Sequence, residues 1–259
     1  MKNIAESSSE DILGYQVINC GLKDCLQAIN DWIATETSCG VLLCLNPHSY
    51  AVSRGNCVFG HALHDADWLV PDGAGIAFAS RWLNGTIDER ITGSDIFSGV
   101  HQSLQRMGGK SVFFLGSSVE ILEIICQKMA HDYPDIQVSG AFSPPYKTEF
   151  SEEDSLKMVN AINAASPDVL WVGMTAPKQE IWLFQNRYRL RVKFAAGIGA
   201  VFDFYAGNVN RSHPVFQQLG LEWLPRLLHD PLRLWRRTFV SAPIFLWYVL
   251  LLAVRKRIY

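Results

Sequence analysis

Short runs of apolar and β-branched residues alternate along this chain with longer segments in which apolar residues recur at helical spacing. This alternation is typical of an α/β domain built from βαβ units. We predict strands at 41–45, 68–70, 111–115, 136–139, 169–172 and 192–196. We predict helices at 23–35, 75–83, 94–107, 119–133, 152–164 and 179–189. The fold class that follows is α/β, with a Rossmann-like, mostly parallel sheet flanked by helices.

The pattern changes near residue 214, so we divide the chain into an α/β domain at 1–213 and a C-terminal helical appendage at 214–259. Arginines of the appendage are spaced so that a helix would place most of them on one side: Arg226, Arg233, Arg236 and Arg237. An uncharged, apolar stretch follows at 238–254, and a basic cluster ends it at 255–257. Cationic side chains at both ends of an apolar helix fit a membrane, where anionic headgroups lie beside acyl chains.

The length of the uncharged stretch bears on how deeply it enters a membrane. As a helix it would be roughly 25 Å long, which is shorter than the ~30 Å hydrocarbon core of a bilayer. Pro243, near its start, would also kink a spanning helix. We therefore predict that the appendage docks on the membrane surface or inserts shallowly. A spanning helix, and a helix buried in the core or in a homo-oligomer interface, stay open as alternatives.

Composition indicates which partners the protein can bind and in which cellular compartment it works. The chain has 259 residues and a formal net charge of −2, so we expect no nucleic-acid partner. Its six cysteines form no C-x-x-C pair, which is the thiol usage of a reducing cytosol. Residues 1–11 are polar and acidic and lack the apolar run of a secretory signal. We therefore expect the protein on the cytoplasmic side.

Polar residues directly follow the first two predicted strands. Asn46 follows the first strand, where its amide can bind a sugar hydroxyl or belong to an ordinary turn. Asp72 follows the second strand, where it can cap a helix or act as a general base whose pKa is raised by burial. Gly73 and Gly75 would let a ligand approach the backbone.

The loop before the third predicted helix carries groups that can bind a phosphate. Arg90 supplies a guanidinium, Thr92 supplies a hydroxyl, and Ser94 is the candidate N-cap of a helix whose first N–H groups attract anions. An ordinary capped helix with a solvated arginine is the alternative. Both interpretations predict that the helix begins at this loop.

The last predicted helix begins with two further candidates, Lys178 and Gln179, just after Pro177. A lysine in the first turn of a helix is unfavourable for the helix dipole, which indicates that its role is to bind an anion. Asp203 lies beyond the last predicted strand and is a further polar candidate. Because the carboxyl ends of parallel strands border one crevice, these residues are expected near the same edge of the sheet.

We predict no metal and no cofactor. Asp65 and Asp67 form a D-x-D string of the kind that can hold a metal–nucleotide pair, but the string comes before a strand and ends a helix. His61 and His64 have no partners at zinc-site spacing. The chain also lacks the G-x-G-x-x-G, Walker A and G-x-S-x-G motifs.

Several short motifs occur in a distinctive order between about residues 41 and 237: N-P, P-D-G-x-G, E-R-I-T-G-S-D, P-K-Q-E, G-A-V-F-D-F-x-A-G and G-L-E-W-L-x-R-L. In this order they closely resemble the WecG/TagA/CpsF family of bacterial glycosyltransferases. The resemblance implies inverting, metal-independent transfer of a sugar from a UDP-sugar to a polyprenyl-diphosphate-linked saccharide. It places this reaction in surface polysaccharide biosynthesis, on the cytoplasmic face of the inner membrane. UDP-glucose and UDP-N-acetylmannosamine both stay open as donors.

The resemblance also implies roles for residues at the matching motif positions. Asp72 looks like the catalytic base, and Asn46 looks like a residue that orients the acceptor or donor. The expected substrate-binding residues are Arg90 and Gln179, joined in the pocket by Gly73, Thr92, Lys178 and Asp203. Those expected to meet the lipid diphosphate or the membrane are Arg226, Arg233, Arg236 and Arg237.

Two other classes of protein compete with this interpretation. A non-enzymatic, membrane-associated assembly protein would share the basic and apolar appendage. A Rossmann-type oxidoreductase would share the fold, but the missing G-x-G-x-x-G motif weakens that hypothesis.

Overall fold

The computed structural model describes residues 9–209 and 235–258. The strands are β1 Ser9–Ile12, β2 Tyr15–Ile18, β3 Gly40–Leu45, β4 Trp68–Pro71, β5 Lys110–Gly116, β6 Ile136–Phe142, β7 Val169–Gly173 and β8 Phe194–Gly197. The helices are α1 Leu22–Thr35, α2 Pro47–Ser53, α3 Cys57–Asp65, α4 Ala74–Trp82, α5 Gly93–Met107, α6 Val119–Asp132, α7 Glu152–Ala165, α8 Lys178–Asn186, α9 Val201–Ala206 and α10 Ala242–Ile258. A 3₁₀ turn, Arg187–Arg189, follows α8, and a π-helical turn, Arg237–Ser241, leads into α10.

Six of the strands form one parallel sheet in the order β4-β3-β8-β7-β5-β6, which confirms the predicted fold class. Every residue of β7 is buried, as expected of a central parallel strand covered by helices on both faces. Leu43 belongs to the apolar layer on one face of the sheet, and Leu42 belongs to the layer on the other face.

The strands that come first and last along the chain in this sheet are β3 and β8, and they lie side by side. After β3 the chain enters α2, whose Tyr50 packs in one apolar layer. After β8 it enters α9, whose Phe202 packs in the opposite layer. Since the connections leave these strands toward opposite faces, a crevice opens beyond their carboxyl ends.

The predicted strands and helices are all present, with ends that differ by a few residues. Of α3 only the end at Asp65 was predicted, and three elements were not predicted: the β1–β2 hairpin, α2 and α9. The hairpin is anchored by Glu10, whose carboxylate accepts hydrogen bonds from the Ser80 hydroxyl (2.9 Å) and the Thr86 amide (2.7 Å). Such contacts join residues far apart in the chain, so local periodicity carries little sign of them.

The C-terminal appendage is described only in part. The predicted boundary between residues 213 and 214 lies outside the described residues, as do Arg226 and Arg233. Within the described ranges, Arg237–Arg255 is the one helical stretch that is long and apolar enough to cross a membrane.

Candidate functional site

Asn46 and Asp72 meet at the carboxyl ends of neighbouring strands. β3 and β4 are parallel, with Leu45 opposite Pro71, so the next residue of each strand lies at the same edge. The Asn46 side-chain amide donates to a carboxylate oxygen of Asp72 across 3.1 Å. Both side chains are half-buried. The structure thus brings together the predicted base and the predicted orienting residue.

The orientation of the Asn46 amide is held by the start of α2. Its Oδ1 accepts the backbone N–H groups of His48 and Ser49, each at 3.0 Å. The Ser49 hydroxyl in turn accepts the Asn46 backbone N–H at 2.7 Å, which completes a capping box. Because Oδ1 is committed to the helix, the amide nitrogen is directed at Asp72.

Asp72 is not a helix cap, so that alternative is wrong. The N-cap of α4 is Gly73, which has φ +85° and has no side chain to bind the first N–H groups. Gly75 has a packing role, because a Cβ there would lie 2.4 Å from Cγ of Pro47. The approach of a ligand to the backbone of Gly75 stays a prediction. Gly73 faces open space, with nothing within 4 Å of a built Cβ.

Arg90 and Thr92 also reach this edge, because the backbone N–H of Ile91 between them donates to the Pro71 carbonyl at 2.9 Å. Arg90 is half-buried and Thr92 is buried. Glu89, in the same motif, accepts the first backbone N–H of α1, from Leu22, at 3.1 Å. The loop is thereby held at both the sheet and α1.

Thr92, and not Ser94, is the N-cap of α5, so the predicted cap is wrong by two positions. The Thr92 hydroxyl donates to the Asp95 carboxylate at 2.6 Å, and that carboxylate accepts the Thr92 backbone N–H at 3.0 Å. Thr92 is the N-cap because its backbone is extended, as an N-cap requires, whereas Ser94 already lies in the first turn of the helix.

Gln179 joins the ends of β7 and β8. Its Oε1 accepts the backbone N–H groups of Met174 (3.2 Å) and Gly199 (3.0 Å), and its Nε2 donates to Glu180 Oε1 at 2.8 Å. Gln179 itself is buried, and its bonds to Met174 and Glu180 are shielded from water. The side chain therefore holds two loops of the crevice in fixed positions.

Glu180 is a residue that our reasoning from the sequence did not single out. It is only 4% exposed, and its Oε2 has no hydrogen-bond partner among the described residues. Burial raises the pKa of this carboxyl to about 7. Its place in the P-K-Q-E motif was visible in the sequence, but its burial was not.

Lys178 is directed away from the Asn46–Asp72 pair. Its ammonium donates to the Lys147 carbonyl at 2.7 Å and lies 5.0 Å from the centre of the Phe150 ring. These partners belong to the loop after β6, which is the edge strand farthest from β4. Partial burial lowers the pKa of the ammonium. Within the described residues it therefore meets a carbonyl and aromatic rings, and its contact with an anion stays a prediction.

Asp203 lies in α9, just beyond the crevice edge formed by β8, and is half-buried. Arg236 and Arg237 are exposed where the chain enters α10. Burial and, secondarily, the charge of Arg237 lower the pKa of His48, the residue whose backbone N–H donates to the Asn46 side chain. The basic end of α10 is therefore close to the start of α2.

Asp65 ends α3 and Asp67 precedes β4, as predicted. Arg187 joins them, with Nη1 2.8 Å from Asp65 and Nη2 2.7 Å from Asp67. This ion pair lies at the amino ends of the strands, opposite the Asn46–Asp72 pair. Over residues 9–209 and 235–258, no group of three or more His, Cys, Asp or Glu side chains could hold a metal ion.

Comparison with known proteins adds the family. The sequence model of the Glycosyl transferase WecG/TagA/CpsF family matches residues 10–258. A protein of Bacillus spizizenii is 30% identical over 205 residues, 79% of this chain and 76% of its own length. A Bacillus subtilis protein is 26% identical over 243 residues (93% and 91%), and a Staphylococcus aureus protein is 25% identical over 246 residues (95% and 93%). All three are named N-acetylglucosaminyldiphosphoundecaprenol N-acetyl-beta-D-mannosaminyltransferase.

Proposed function

Since the chain belongs to the WecG/TagA/CpsF family of glycosyltransferases, we propose that it moves one sugar from a UDP-sugar to a saccharide on polyprenyl diphosphate. The names of its relatives specify N-acetylglucosaminyl-diphosphoundecaprenol as their acceptor and N-acetylmannosamine as the sugar they transfer. The donor proposed here is of the UDP-N-acetylmannosamine or UDP-glucose type. The reaction serves the synthesis of a bacterial surface polysaccharide.

The observation that carries this proposal is the hydrogen bond between Asn46 and Asp72 at the carboxyl edge of the sheet. The Asp72 carboxylate takes the proton of the acceptor hydroxyl while that oxygen attacks the anomeric carbon of the donor. A new glycosidic bond forms, the bond from that carbon to UDP breaks, and UDP departs with the electron pair. Attack from the face opposite UDP inverts the anomeric centre. Asn46 keeps the carboxylate aimed during this step.

Stabilisation of the departing diphosphate is assigned to groups beside Asp72. Arg90 lies in the loop that is bonded to the end of β4, and a guanidinium can bind a phosphate through two parallel hydrogen bonds. The N-cap of α4, Gly73, has no side chain to accept the first N–H groups of the helix, so these groups can donate hydrogen bonds to a further anionic oxygen. Preorganised donors of this kind supply charge stabilisation without a metal ion.

We place the reaction at the cytoplasmic face of the inner membrane, with the protein bound peripherally or inserted shallowly. The exposed Arg236 and Arg237 beside an apolar helix support this location. The diphosphate of a lipid-linked acceptor must reach the crevice from a membrane surface. The basic residues at the start of α10 can bind anionic groups at that surface.

Transfer from a panel of UDP-sugars to a synthetic polyprenyl-diphosphate saccharide, in detergent with EDTA, tests the proposal. We expect product from one donor, with inversion at the anomeric carbon by NMR spectroscopy. Activity that returns only with added Mg²⁺ or Mn²⁺ would contradict the metal-independent mechanism. Retention of configuration would contradict the single displacement assigned to Asp72.

A further inference from the structure

One side of the C-terminal helix packs along the α/β domain. Ser241, Phe245 and Val249 are buried at intervals of four residues, so they form a single seam along the helix. The Phe245 ring lies 5.5 Å from that of Tyr50 on α2, and the Tyr248 ring lies 5.8 Å from it. This contact is specific, with rings meeting edge to face.

Polar contacts flank the apolar seam. The imidazole Nδ1 of His48 lies 2.9 Å from the Ser241 hydroxyl. The Arg54 guanidinium lies 4.9 Å from the centre of the Tyr248 ring and donates to its hydroxyl at 3.4 Å. Since His48 begins α2 and Arg54 follows its end, α10 is attached along the whole length of α2.

The length of this attachment bears on how the helix meets a bilayer. The packed residues run from Ser241 to Ala253, which is roughly 18 Å of helix at 1.5 Å per residue. This is more than half of the ~30 Å hydrocarbon core. A helix that crossed the bilayer would have to give up most of its contacts with α2, so the packing favours a helix that lies beside the domain.

The other side of α10 and its lead-in turn is apolar and exposed. The residues concerned are Phe239, Val240, Ile244, Leu246, Trp247, Leu250, Leu251 and Val254. Trp247 is 59% exposed and Phe239 is 64% exposed, values that are unusual for large apolar side chains in water. A continuous exposed apolar surface of this kind marks an interaction site.

The same surface extends onto the α/β domain through α4. Gly75 packs on Pro47 of α2, and Phe78 and Trp82 follow Gly75 at three and seven residues along one side of α4. Their rings are 5.1 Å apart, and the side chains are 43% and 49% exposed. Their spacing from Gly75 places both rings on the side of α4 that packs on α2, and α4 is also in contact with α10, which lies along α2.

The charged residues around this apolar surface indicate that it binds a lipid membrane. Arg236 and Arg237 are exposed at one end of the apolar stretch and Arg255 at the other, and no acidic residue occurs between 235 and 258. Anionic headgroups would bind both ends when the helix lies flat in one leaflet, and Trp and Phe side chains favour the boundary between headgroups and acyl chains. A protein partner would not explain basic residues at both ends of an uncharged face.

We propose that α10 lies in the plane of a single anionic leaflet and that Phe78 and Trp82 of α4 belong to the same lipid-contacting surface. α10 rests on α2 and α4, whose N-caps are Asn46 and Gly73. Lipid contact therefore brings the Asn46–Asp72 pair beside the headgroup layer. Only this last consequence, access to a lipid-linked acceptor, rests on the proposed function.

Topology labelling tests the orientation of α10. The native, exposed Cys57 marks the side of the α/β domain, and Arg255→Cys marks the far end of α10 in the full chain. An impermeant maleimide is applied to inverted vesicles and to right-side-out spheroplasts, and modified peptides are identified by mass spectrometry. We expect positions 57 and 255 to react from the same side. Reaction at 255 only from the opposite side would show a spanning helix and overturn the proposal.

Vesicle binding tests the contribution of α4. With phosphatidylglycerol–phosphatidylcholine vesicles, the Phe78→Ser/Trp82→Ser variant should partition about tenfold or more weakly than wild type, because two interfacial aromatic anchors are lost. The matched control, Val119→Ser/Ile124→Ser, removes exposed apolar side chains from α6 and should bind like wild type. Circular dichroism and thermal unfolding confirm that both variants fold.

Two results would overturn the lipid assignment. One is wild-type binding by the Phe78→Ser/Trp82→Ser variant. The other is a wild-type dimer in sedimentation that this variant converts to monomer with unchanged vesicle binding, since that would make the surface a contact between copies of the chain. Vesicle binding without sugar transfer to any acceptor would contradict the proposed function and leave this inference standing.

Discussion

Two amide–carboxylate pairs lie at the same edge of the sheet. At the ends of β3 and β4, Asn46 donates to Asp72 across 3.1 Å, and both side chains are half-buried. After β7, Gln179 donates to Glu180 across 2.8 Å, and both are buried. The functional groups are the same, so the difference between the pairs comes from their surroundings.

The surroundings indicate opposite roles. The first pair is reachable from the crevice, and its amide is aimed at the carboxylate by the start of α2. In the second pair the amide oxygen binds the loops after β7 and β8, and the carboxylate is enclosed. A reachable carboxylate can take a proton from a substrate, whereas an enclosed one can only stabilise the loops around it. We therefore expect substitutions in the first pair to affect turnover and substitutions in the second to affect stability.

The largest expected effect is that of Asp72→Asn on turnover. Loss of the proposed general base should lower the rate of sugar transfer by about 10²–10⁴-fold. The amide keeps the shape of the side chain, so the melting temperature and donor binding should stay near those of wild type. Steady-state kinetics and calorimetry measure the two quantities. Wild-type rates in this variant would remove Asp72 from the mechanism.

Glu180→Gln should act on stability and on its dependence on pH. The folded pKa of Glu180, about 7, is above its ordinary value of 4.5, so the folded state binds the proton more tightly than the unfolded state. Stability should therefore fall as pH rises from 4.5 to about 7 and then level off. The full cost of ionising this buried group is on the order of 3 kcal/mol.

Denaturant unfolding at pH 5 and pH 8 checks this expectation. Wild type should lose stability between the two values, and Glu180→Gln should lose less, with transfer rates within a few-fold of wild type at pH 8. An unchanged pH dependence would show that Glu180 is not the group responsible. A loss of turnover as large as that of Asp72→Asn would erase the distinction between the two pairs.

Asn46→Ser should separate the two roles of Asn46. Serine is also a good N-cap, so the stability of α2 should change by only a few tenths of a kcal/mol. The hydrogen bond to Asp72 is lost, and a bond to a charged group contributes about 1.5–3 kcal/mol. Transfer should therefore slow by roughly tenfold or more, and the melting temperature should fall only by what this one bond contributes. A loss of transfer in Asn46→Ala that Asn46→Ser does not share would point to the cap alone.

The smallest expected effect is that of Ser241→Ala, which removes the contact between α10 and His48. One neutral hydrogen bond contributes about 1 kcal/mol. Because Asn46 is bound by the backbone N–H of His48 and not by its ring, turnover on a detergent-solubilised acceptor should stay within about twofold of wild type. A larger loss of turnover with no change in melting temperature would show that α10 acts directly on the first pair.

Periodicity predicted the parallel sheet because buried strands and amphipathic helices leave a local signature. It missed α2, since Asn46-Pro47 is equally typical of a turn, and it gave only the end of α3, at Asp65. It also placed the cap of α5 at Ser94, because several residues before a helix can bind its first N–H groups and only the backbone conformation selects among them. The ends of elements therefore depended on contacts that the pattern does not contain.

The sequence by itself determined that Asn46 and Asp72 lie at one edge, because each follows a strand of a parallel sheet and such edges converge. It also determined that the appendage is basic and apolar. Only the tertiary structure decided that Glu180 is enclosed, that Gly75 accommodates Pro47, and that a single seam of α10 is covered by α2. The physical reason is that burial is set by residues remote in the chain. An apolar helix has the same local pattern whether it crosses a bilayer, fills a core or lies on a membrane.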